Sequence, residues 1–200
     1  MEDSKKKYIL FAGANGTGKS TLYEILPDKP DVPRVNIDEI AKKYGSWRDI
    51  TVMLKAGREA VRSIRQYMDD GISFNQETTL CGKSILKNIR MAKLKGYNIE
   101  MHYVGVDSVS ICKERIAYRV SLGGHGIPDS DVERRYAESL RNLRVLLPEI
   151  DSVTFYDNTV SFQSIAASRN GIIEILTENL PKWFECIFRS NGALIPLQTA

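Results

Sequence analysis

The chain has 200 residues, of which 42% are hydrophobic and 26% are charged, a composition typical of one globular domain with a single core. It excludes a disordered chain, a collagen-like repeat and a small disulfide-stabilised protein. With 28 basic and 25 acidic side chains, the net charge of +3 is too balanced to indicate nucleic acid or an anionic membrane as the main partner. No stretch approaches the ~20 apolar residues of a membrane span, and the N-terminus does not resemble a signal peptide.

Five short apolar segments alternate with helical patterns, which is typical of a parallel sheet covered on both faces by helices. The predicted strands cover residues 8–12, 34–36, 73–77, 98–106 and 152–156. The predicted helices cover residues 18–26, 49–70, 83–95, 108–122 and 128–147. The sequence therefore predicts an α/β fold with a five-stranded parallel sheet, and nothing in it marks a second domain within residues 1–200.

Apolar spacing predicts which helix faces are buried. In the long helix over 49–70 the inward residues should be Val52, Leu54, Val61, Ile64 and Met68. In the helix over 108–122 they should be Ile111, Ile116 and Val120.

The last part of the chain predicts a β-hairpin and a short helix. Asn170-Gly171 is a strong hairpin turn signal between apolar segments at 162–167 and 172–176. A helix is expected over 181–188, with Trp183 and Phe184 packed against the body of the protein.

The three cysteines, Cys81, Cys112 and Cys186, are widely spaced and include no CxxC pair. Zinc sites and disulfide-rich folds need closely spaced or paired cysteines, so neither is indicated. Free thiols favour a reducing compartment, and we expect a cytoplasmic protein.

A phosphate-binding motif follows the first predicted strand. Residues 13–20 read Gly-Ala-Asn-Gly-Thr-Gly-Lys-Ser, which matches GxxxxGK[ST] between a strand and a helix, the context that a P-loop requires. The glycines let backbone N–H groups face nucleotide phosphates, Lys19 would reach the β and γ phosphates, and the Ser20 hydroxyl would bind Mg²⁺. The predicted ATP-binding residues are Gly13, Ala14, Asn15, Gly16, Thr17, Gly18, Lys19, Ser20 and Thr21.

A P-loop leaves open whether the γ-phosphate goes to water or to an acceptor. The chain has no NKxD element of a guanine-specific switch, and it has no apolar strand ending in Asp-Glu as in a motor. Three hypotheses about function remain: a kinase for a nucleotide sugar, a kinase for another small acceptor, and a nucleotide-dependent regulatory ATPase.

Polar residues at the ends of the predicted strands are candidates for acceptor chemistry, because ligands of such sheets bind beyond the carboxyl ends of the strands. Asp38 is the first candidate for orienting an acceptor hydroxyl and taking its proton; the alternative is that it only caps the following helix. Glu77 is either a substrate or metal-water ligand or an ordinary strand-end acid. Asp107 follows the fourth strand.

A glycine-rich turn, Gly123-Gly124-His125-Gly126, separates two arginine-bearing helices. A lid over about 115–135 is expected to close over phosphates there, with arginine as the cation that binds phosphate bidentately. Arg119 and Arg135 flank the turn and are the preferred clamps, and Arg134 is the alternative for the second. His125 is expected to be a loop residue, and His102 to be packed in its strand.

Together these segments resemble the zeta toxin family of P-loop kinases. The resemblance runs from Tyr8 to about Asn158 in the family's order and spacing. It rests on Gly-Ala-Asn-Gly-Thr-Gly-Lys-Ser-Thr at 13–21, Asn-Ile-Asp-Glu-Ile-Ala at 36–41, Glu-Thr-Thr-Leu-Cys-Gly at 77–82, Ala-Lys-Leu-Lys-Gly-Tyr at 92–97, Arg-Val-Ser-Leu-Gly-Gly-His-Gly-Ile-Pro at 119–128, and Arg-Arg-Tyr-Ala-Glu-Ser-Leu-Arg-Asn-Leu at 134–143. The acceptor element differs from the toxins' Glu-Gly-Thr-Leu-Arg.

The resemblance implies a P-loop fold and ATP-dependent phosphorylation of a small acceptor, which for zeta toxins is the 3′-hydroxyl on the amino sugar of UDP-N-acetylglucosamine. It also implies an antitoxin protein as a partner. The family's functional positions match Asp38 as catalytic aspartate, Lys19 as the Walker lysine, Ser20 as metal hydroxyl, Glu77 and Thr79 as substrate contacts, and Arg119 and Arg135 as phosphate clamps.

Overall fold

The computed structural model describes residues 6–189. Its strands are β1 (Lys7–Ala12), β2 (Arg34–Val35), β3 (Phe74–Thr78), β4 (Asn98–Gly105), β5 (Ser152–Asp157), β6 (Gln163–Arg169) and β7 (Ile172–Ile175). Its helices are α1 (Lys19–Ile25), α2 (Ile37–Lys42), α3 (Ile50–Asp70), α4 (Lys83–Leu94), α5 (Val109–Ser121), α6 (Asp129–Leu146) and α7 (Lys182–Arg189), with one 3-10 turn at Leu147–Glu149. None of the helices among these residues is both long and apolar enough to cross a membrane.

The strands form a single sheet in the order β2-β3-β1-β4-β5-β6-β7. The first five strands of this order are parallel, as predicted, and β1 lies between β3 and β4 with Ala12 opposite Thr78 and Tyr103. Because the strands are parallel, their carboxyl ends meet at one edge, where the loops after β1, β2 and β3 come together. That edge carries the candidate site.

The C-terminal hairpin is part of this sheet and not an appendage to it. Strand β6 pairs antiparallel with β5, and β7 pairs with β6, so the sheet is mixed and has seven strands where the sequence predicted five plus a separate hairpin. The pairing satisfies the backbone N–H and C=O groups of β5, which would otherwise form an open sheet edge. The predicted turn at Asn170-Gly171 is present, and both residues have positive φ.

The main core lies on the face of the sheet that carries Tyr8, Leu10 and Ala12 of β1. Tyr8, Leu10 and Phe11 are fully buried, as expected for a central strand covered on both faces. The Tyr8 hydroxyl donates to the buried Gln76 side chain of β3. His102 of β4 is packed as predicted, with its ring stacked on Phe11 at a centroid distance of 5.0 Å.

The predicted inward face of α3 is partly wrong. Val52, Ile64 and Met68 are buried, but Leu54 and Val61 are 56% and 42% exposed. The buried stripe is completed by Ala56 and Ala60, whose small side chains let α3 lie close to its neighbours.

In α5 the prediction holds for Ile116, which is buried, and for Ile111, which packs against the same small cluster of buried residues. It fails for Val120, which is 38% exposed and lies beside Gly126 of the following turn.

Candidate active site

Residues 13–18, between β1 and α1, form a phosphate-binding loop, the cradle. At three of its positions the backbone has a conformation that favours glycine. Gly13, Gly16 and Gly18 have φ values of +139°, +83° and +104°, which L side chains rarely adopt. A Cβ atom on Gly13 would lie 2.3 Å from the Val104 carbonyl oxygen, and one on Gly16 would lie 2.6 Å from the Cys112 carbonyl oxygen. The sequence motif therefore has the strand-loop-helix geometry that it predicted.

Lys19 begins α1 and points into this loop. Its side chain is buried, with the residue only 7% exposed, and its Nζ donates to the Ala14 carbonyl at 2.8 Å. Burial lowers the pKa of this ammonium group, while the negative charges of Glu77 and Asp38 oppose that shift. A buried cation beside a glycine cradle is matched to an anionic ligand, and phosphate fits both features.

Asn158 and Arg115 support the backbone of the cradle. The sequence analysis did not single out either residue for this role. Asn158, just after β5, donates from Nδ2 to the Thr17 carbonyl at 2.8 Å. Arg115 of α5 in turn donates from Nη2 to the Asn158 carbonyl at 2.8 Å and to that of Thr159 at 3.3 Å. No local motif marks either residue, because they meet the cradle only when the sheet has formed.

Ser20 and Glu77 lie side by side at the mouth of the cradle. The Ser20 hydroxyl donates to Glu77 Oε1 at 2.8 Å. Glu77 Oε2 accepts from Arg34 Nη2 at 2.7 Å and from Asn36 Nδ2 at 2.9 Å. The guanidinium group of Arg34 stacks on the face of Tyr23, with Cζ 3.6 Å from the ring centroid. Both oxygens of Glu77 thus accept hydrogen bonds from neighbouring side chains.

The oxygen donors here fit a magnesium ion. A hydroxyl and a carboxylate are hard ligands, and Mg²⁺ in nucleotide sites takes one or two protein ligands and completes its shell with phosphate oxygens and waters. Residues 6–189 contain no cluster of three or more His, Cys, Asp or Glu that could hold a metal ion. Ser20, with Glu77 beside it, is the group that would hold Mg²⁺.

Asp38 is not the cap of α2. That role belongs to Asn36, whose Oδ1 accepts from the backbone N–H groups of Asp38 and Glu39 at 2.9 and 3.4 Å. The Asp38 side chain is left free to face the cleft and is 54% exposed. The His125 ring, with Nδ1 3.4 Å from Asp38 Oδ1, holds the pKa of this carboxyl below its usual value together with the positive charges of Arg119 and Lys19, so the carboxyl is ionised at neutral pH.

A cleft of about 500 Å³ extends from the cradle between α3 and α4, a size typical of small-molecule sites. Lys19, Asp38, Glu77, Thr79 and Arg135 all line it. Two predicted phosphate-binding side chains, Lys19 and Arg135, therefore open into the same space as the predicted acceptor residues Asp38, Glu77 and Thr79.

The turn after β3 places Thr79 at this cleft. Leu80 next to it is fully buried and has a φ of +60°, and its N–H bonds to Thr78 Oγ1 at 3.0 Å. Backbone in this region is unfavourable for leucine and is found near functional sites.

The three arginines of the predicted lid take three different positions. Arg135 lines the cleft, and its Nη1 donates to Asn15 Oδ1 of the cradle at 3.3 Å. Arg134, which the sequence left as the alternative, is paired with Asp131 and Glu138 and has a 57% exposed side chain. Arg119 uses Nε to hold the His125 carbonyl at 2.9 Å. The geometry thus favours Arg135 over Arg134 as the clamp.

Asp107 takes a structural role instead of one in acceptor chemistry, and His125 makes a contact that its loop position does not indicate. Asp107 accepts from the Trp183 backbone N–H at 3.2 Å and supports α7, away from the cleft. His125 is a loop residue, as predicted, but it also lines the cleft, and its Nδ1 lies 3.4 Å from Asp38 Oδ1.

The family model described as Zeta toxin matches residues 1–169 of the chain. The chain belongs to the zeta toxin family. A relative from Haemophilus influenzae, described as an uncharacterized protein, is 33% identical over 132 residues, which are 66% of this chain and 94% of that protein.

Three solved structures share the fold. The AvrRxo1-ORF1:AvrRxo1-ORF2 complex with sulphate ions is 14% identical, with a TM-score of 0.68 over 93% of this chain and 64% of the other. The AvrRxo1-ORF1:-ORF2 structure with ATP is 12% identical, with a TM-score of 0.65 over 87% and 61%. The PezAT toxin-antitoxin system of Streptococcus pneumoniae is 16% identical, with a TM-score of 0.54 over 81% and 72%. This chain thus spans less than two thirds of the AvrRxo1 chains.

Proposed function

We propose that this protein is an ATP-dependent kinase that transfers the γ-phosphate to a hydroxyl group of a small acceptor. The observation that carries the proposal is that Lys19 at the cradle and Asp38 at the start of α2 line one cleft. A switch or motor needs only the cradle, whereas a kinase also needs room for an acceptor beside an acid. Membership of the zeta toxin family also supports a kinase function.

In this mechanism the cradle N–H groups and Lys19 bind the ATP phosphates, and Arg135 neutralises charge that develops on the transferred group. Asp38 accepts the proton of the acceptor hydroxyl as its O–H bond breaks. The acceptor oxygen bonds to the γ-phosphorus, the bond to the β-phosphate oxygen breaks, and ADP leaves. Mg²⁺ held at Ser20 would supply charge neutralisation to the phosphates.

UDP-N-acetylglucosamine is the acceptor that the family resemblance suggests, with Glu77 and Thr79 among its contacts. We therefore propose it as the first acceptor to test. The experiment measures ATP consumption by the purified protein with Mg²⁺, with and without the sugar nucleotide, and follows the sugar nucleotide by mass spectrometry.

A mass increase of one phosphate that disappears in Asp38→Ala supports this acceptor. ATP loss that occurs equally without any acceptor would instead support the regulatory ATPase.

The charge of the cleft favours a second candidate, an acceptor that carries no phosphate. All of the α3 and α4 residues that line the cleft are uncharged: Met53, Gly57, Ala60, Val61, Ile64, Ser84, Ile85 and Asn88. The lining cations Lys19 and Arg135 are the ones that ATP would occupy. Because the diphosphate of a nucleotide sugar would lack a lining cation of its own, the same assay should include uncharged sugars and nucleosides.

We further propose a cytoplasmic location and a protein inhibitor as partner. Cys81, Cys112 and Cys186 are all free thiols, which suits a reducing compartment. The PezAT structure is described as a toxin-antitoxin system, which makes an antitoxin-like partner a reasonable expectation for this family member. Co-purification of the tagged chain from its own cells, with loss of kinase activity in the complex, is the corresponding test.

A further inference from the structure

His125 lies in the glycine-rich turn over residues 123–126, the lid turn. It makes three contacts that join this turn to the rest of the site. Its Nδ1 lies 3.4 Å from Asp38 Oδ1. Its ring stacks on Trp47, in the connection between α2 and α3, with centroids 4.6 Å apart and planes 11° apart. Its carbonyl accepts from Arg119 Nε at 2.9 Å.

The turn that carries His125 is closely fitted around these contacts. The Gly124 N–H donates to the Arg119 carbonyl at 2.9 Å, and a Cβ on Gly124 would lie 2.6 Å from Arg119 Cγ. A Cβ on Gly126 would lie 3.1 Å from Val120 Cγ2 and 3.6 Å from the Trp47 ring. The glycines on either side therefore allow His125 to reach the Trp47 ring and Asp38 at once.

Asp38 needs such support because its own element does not fix its side chain. Asn36 binds the backbone N–H of Asp38 and not its carboxylate, and the carboxylate is more than half exposed. A general base must hold its oxygen within hydrogen-bond reach of the acceptor hydroxyl, and small displacements reduce rates strongly. Among the described side chains, His125 supplies the ion-pair contact to this carboxylate, with Nδ1 3.4 Å from Oδ1.

We propose that His125 is a positioning residue that orients the Asp38 carboxylate for proton transfer when the lid turn is seated on Trp47. The proposal rests on the proposed kinase function, since it assigns Asp38 the role of base. His125 acts through Nδ1 on Asp38, while its stacking on Trp47 and its carbonyl bond to Arg119 keep the turn in place. The lid and the acceptor base are thereby linked through one side chain.

Three variants separate the contact of Nδ1 with Asp38 from the stacking on Trp47. His125→Phe keeps a flat ring for Trp47 and removes the donor. His125→Asn keeps an N–H donor near the position of Nδ1, whereas His125→Gln places its amide farther out, near the position of Nε2. We expect kcat to fall about 10- to 100-fold in His125→Phe and His125→Gln, with the ATP dissociation constant within twofold of wild type.

His125→Asn should recover most of the lost kcat. Equal losses of kcat in the Asn and Phe variants, or a His125→Phe enzyme with more than half of the wild-type kcat, would overturn the proposal. A loss confined to ATP binding would also overturn it, because that pattern belongs to a structural role in the lid.

A spectroscopic readout tests the contact without any turnover. The chain has two histidines, so His102 serves as an internal reference in NMR spectra of the imidazole rings. Asp38→Asn should shift the ring signals of His125 and leave those of His102 unchanged. Unchanged His125 signals would refute the contact. A wild-type protein without kinase activity would refute the proposed function, and the His125 contact would then be judged on this shift alone.

Discussion

At the scale of single residues, the site combines groups whose environments suit opposite tasks. Lys19 is a buried cation whose pKa is lowered by burial. The unliganded protein therefore carries an unfavourable desolvation free energy at this residue, which a bound phosphate would offset. Asp38 is a half-exposed carboxylate whose pKa is lowered mainly by the His125 ring beside it. In the proposed mechanism Lys19 holds a phosphate anion, and Asp38 stays ionised in front of the acceptor.

Lys19→Ala and Asp38→Ala should both abolish turnover and leave the fold intact. The first removes the phosphate contact and should also weaken ATP binding, whereas the second should leave ATP binding near wild type. Steady-state kinetics, ATP titration and thermal unfolding of each variant check this expectation. Retention of more than roughly a tenth of the wild-type kcat would remove that residue from the catalytic set. Thermal unfolding of Lys19→Ala without nucleotide should not occur at a lower temperature than wild type, because a buried charge has been removed.

The neighbouring arginines Arg134 and Arg135 form a matched pair for the lid. Both arginines pair with Asp131 of their own helix, but Arg135 also contacts the cradle through Asn15, whereas Arg134 is bound to Glu138 instead. Arg135→Ala should lower kcat about 100- to 1000-fold, because a cation facing the transferred phosphate is lost. Arg134→Ala should remain within about twofold of wild type, since exposed pairs contribute little. The reverse order of effects would show that α6 presents the other arginine to the phosphate.

At the scale of elements, α3 serves as a wall of the cleft as well as a packing surface. Its buried residues include Ala56 and Ala60, and Gly57 between them lines the cleft with nothing within 4 Å of an added Cβ. The absence of a side chain at this position leaves space for a ligand. A larger side chain here would project into the volume that the acceptor is proposed to occupy.

Gly57→Leu should therefore raise the KM for the acceptor at least tenfold and leave the ATP dissociation constant unchanged. Gly57→Ala should have a milder effect on KM and should stabilise the protein by about 0.5–1 kcal/mol, because glycine is unfavourable inside a helix. Arg65→Leu, at an exposed α3 position outside the cleft, is the control for an added leucine. An unchanged acceptor KM in Gly57→Leu would place the acceptor elsewhere.

At the scale of the whole molecule, the C-terminal part of the chain completes the core that supports the site. Trp183 of α7 is 2% exposed and donates from Nε1 to Asp157 Oδ1 at 2.8 Å. Its ring lies against β4 so closely that a Cβ on Gly105 would be 2.3 Å from Trp183 Cε2. The residues after β5 therefore stabilise the same strands that end at the cradle.

Trp183→Ala should lower the free energy of unfolding by about 3–5 kcal/mol, since it removes a large buried ring and leaves a cavity. Trp183→Phe should cost less, because most of the ring volume remains and only the hydrogen bond to Asp157 and part of the packing are lost. Chemical denaturation followed by circular dichroism measures both values. Equal stability of Trp183→Ala and wild type would show that α7 does not contribute to the core.

The sequence by itself determined the cradle, the five parallel strands and the turn at Asn170-Gly171, because each of these depends on neighbours along the chain. Strand length, glycine at positive φ and apolar periodicity are local properties that a short segment fixes. The same holds for Asp38 as a candidate, which follows the second strand directly.

Only the tertiary structure decided how these parts meet. The pairing of β6 with β5, the exposure of Leu54 and Val61, and the placement of Glu77 between Ser20 and Arg34 depend on elements far apart in sequence. Likewise, no local pattern indicates that His125 of the lid turn lies beside Asp38 and Trp47. The physical reason is that burial and side-chain contacts are set by packing between elements, whereas a sequence pattern specifies only the elements themselves.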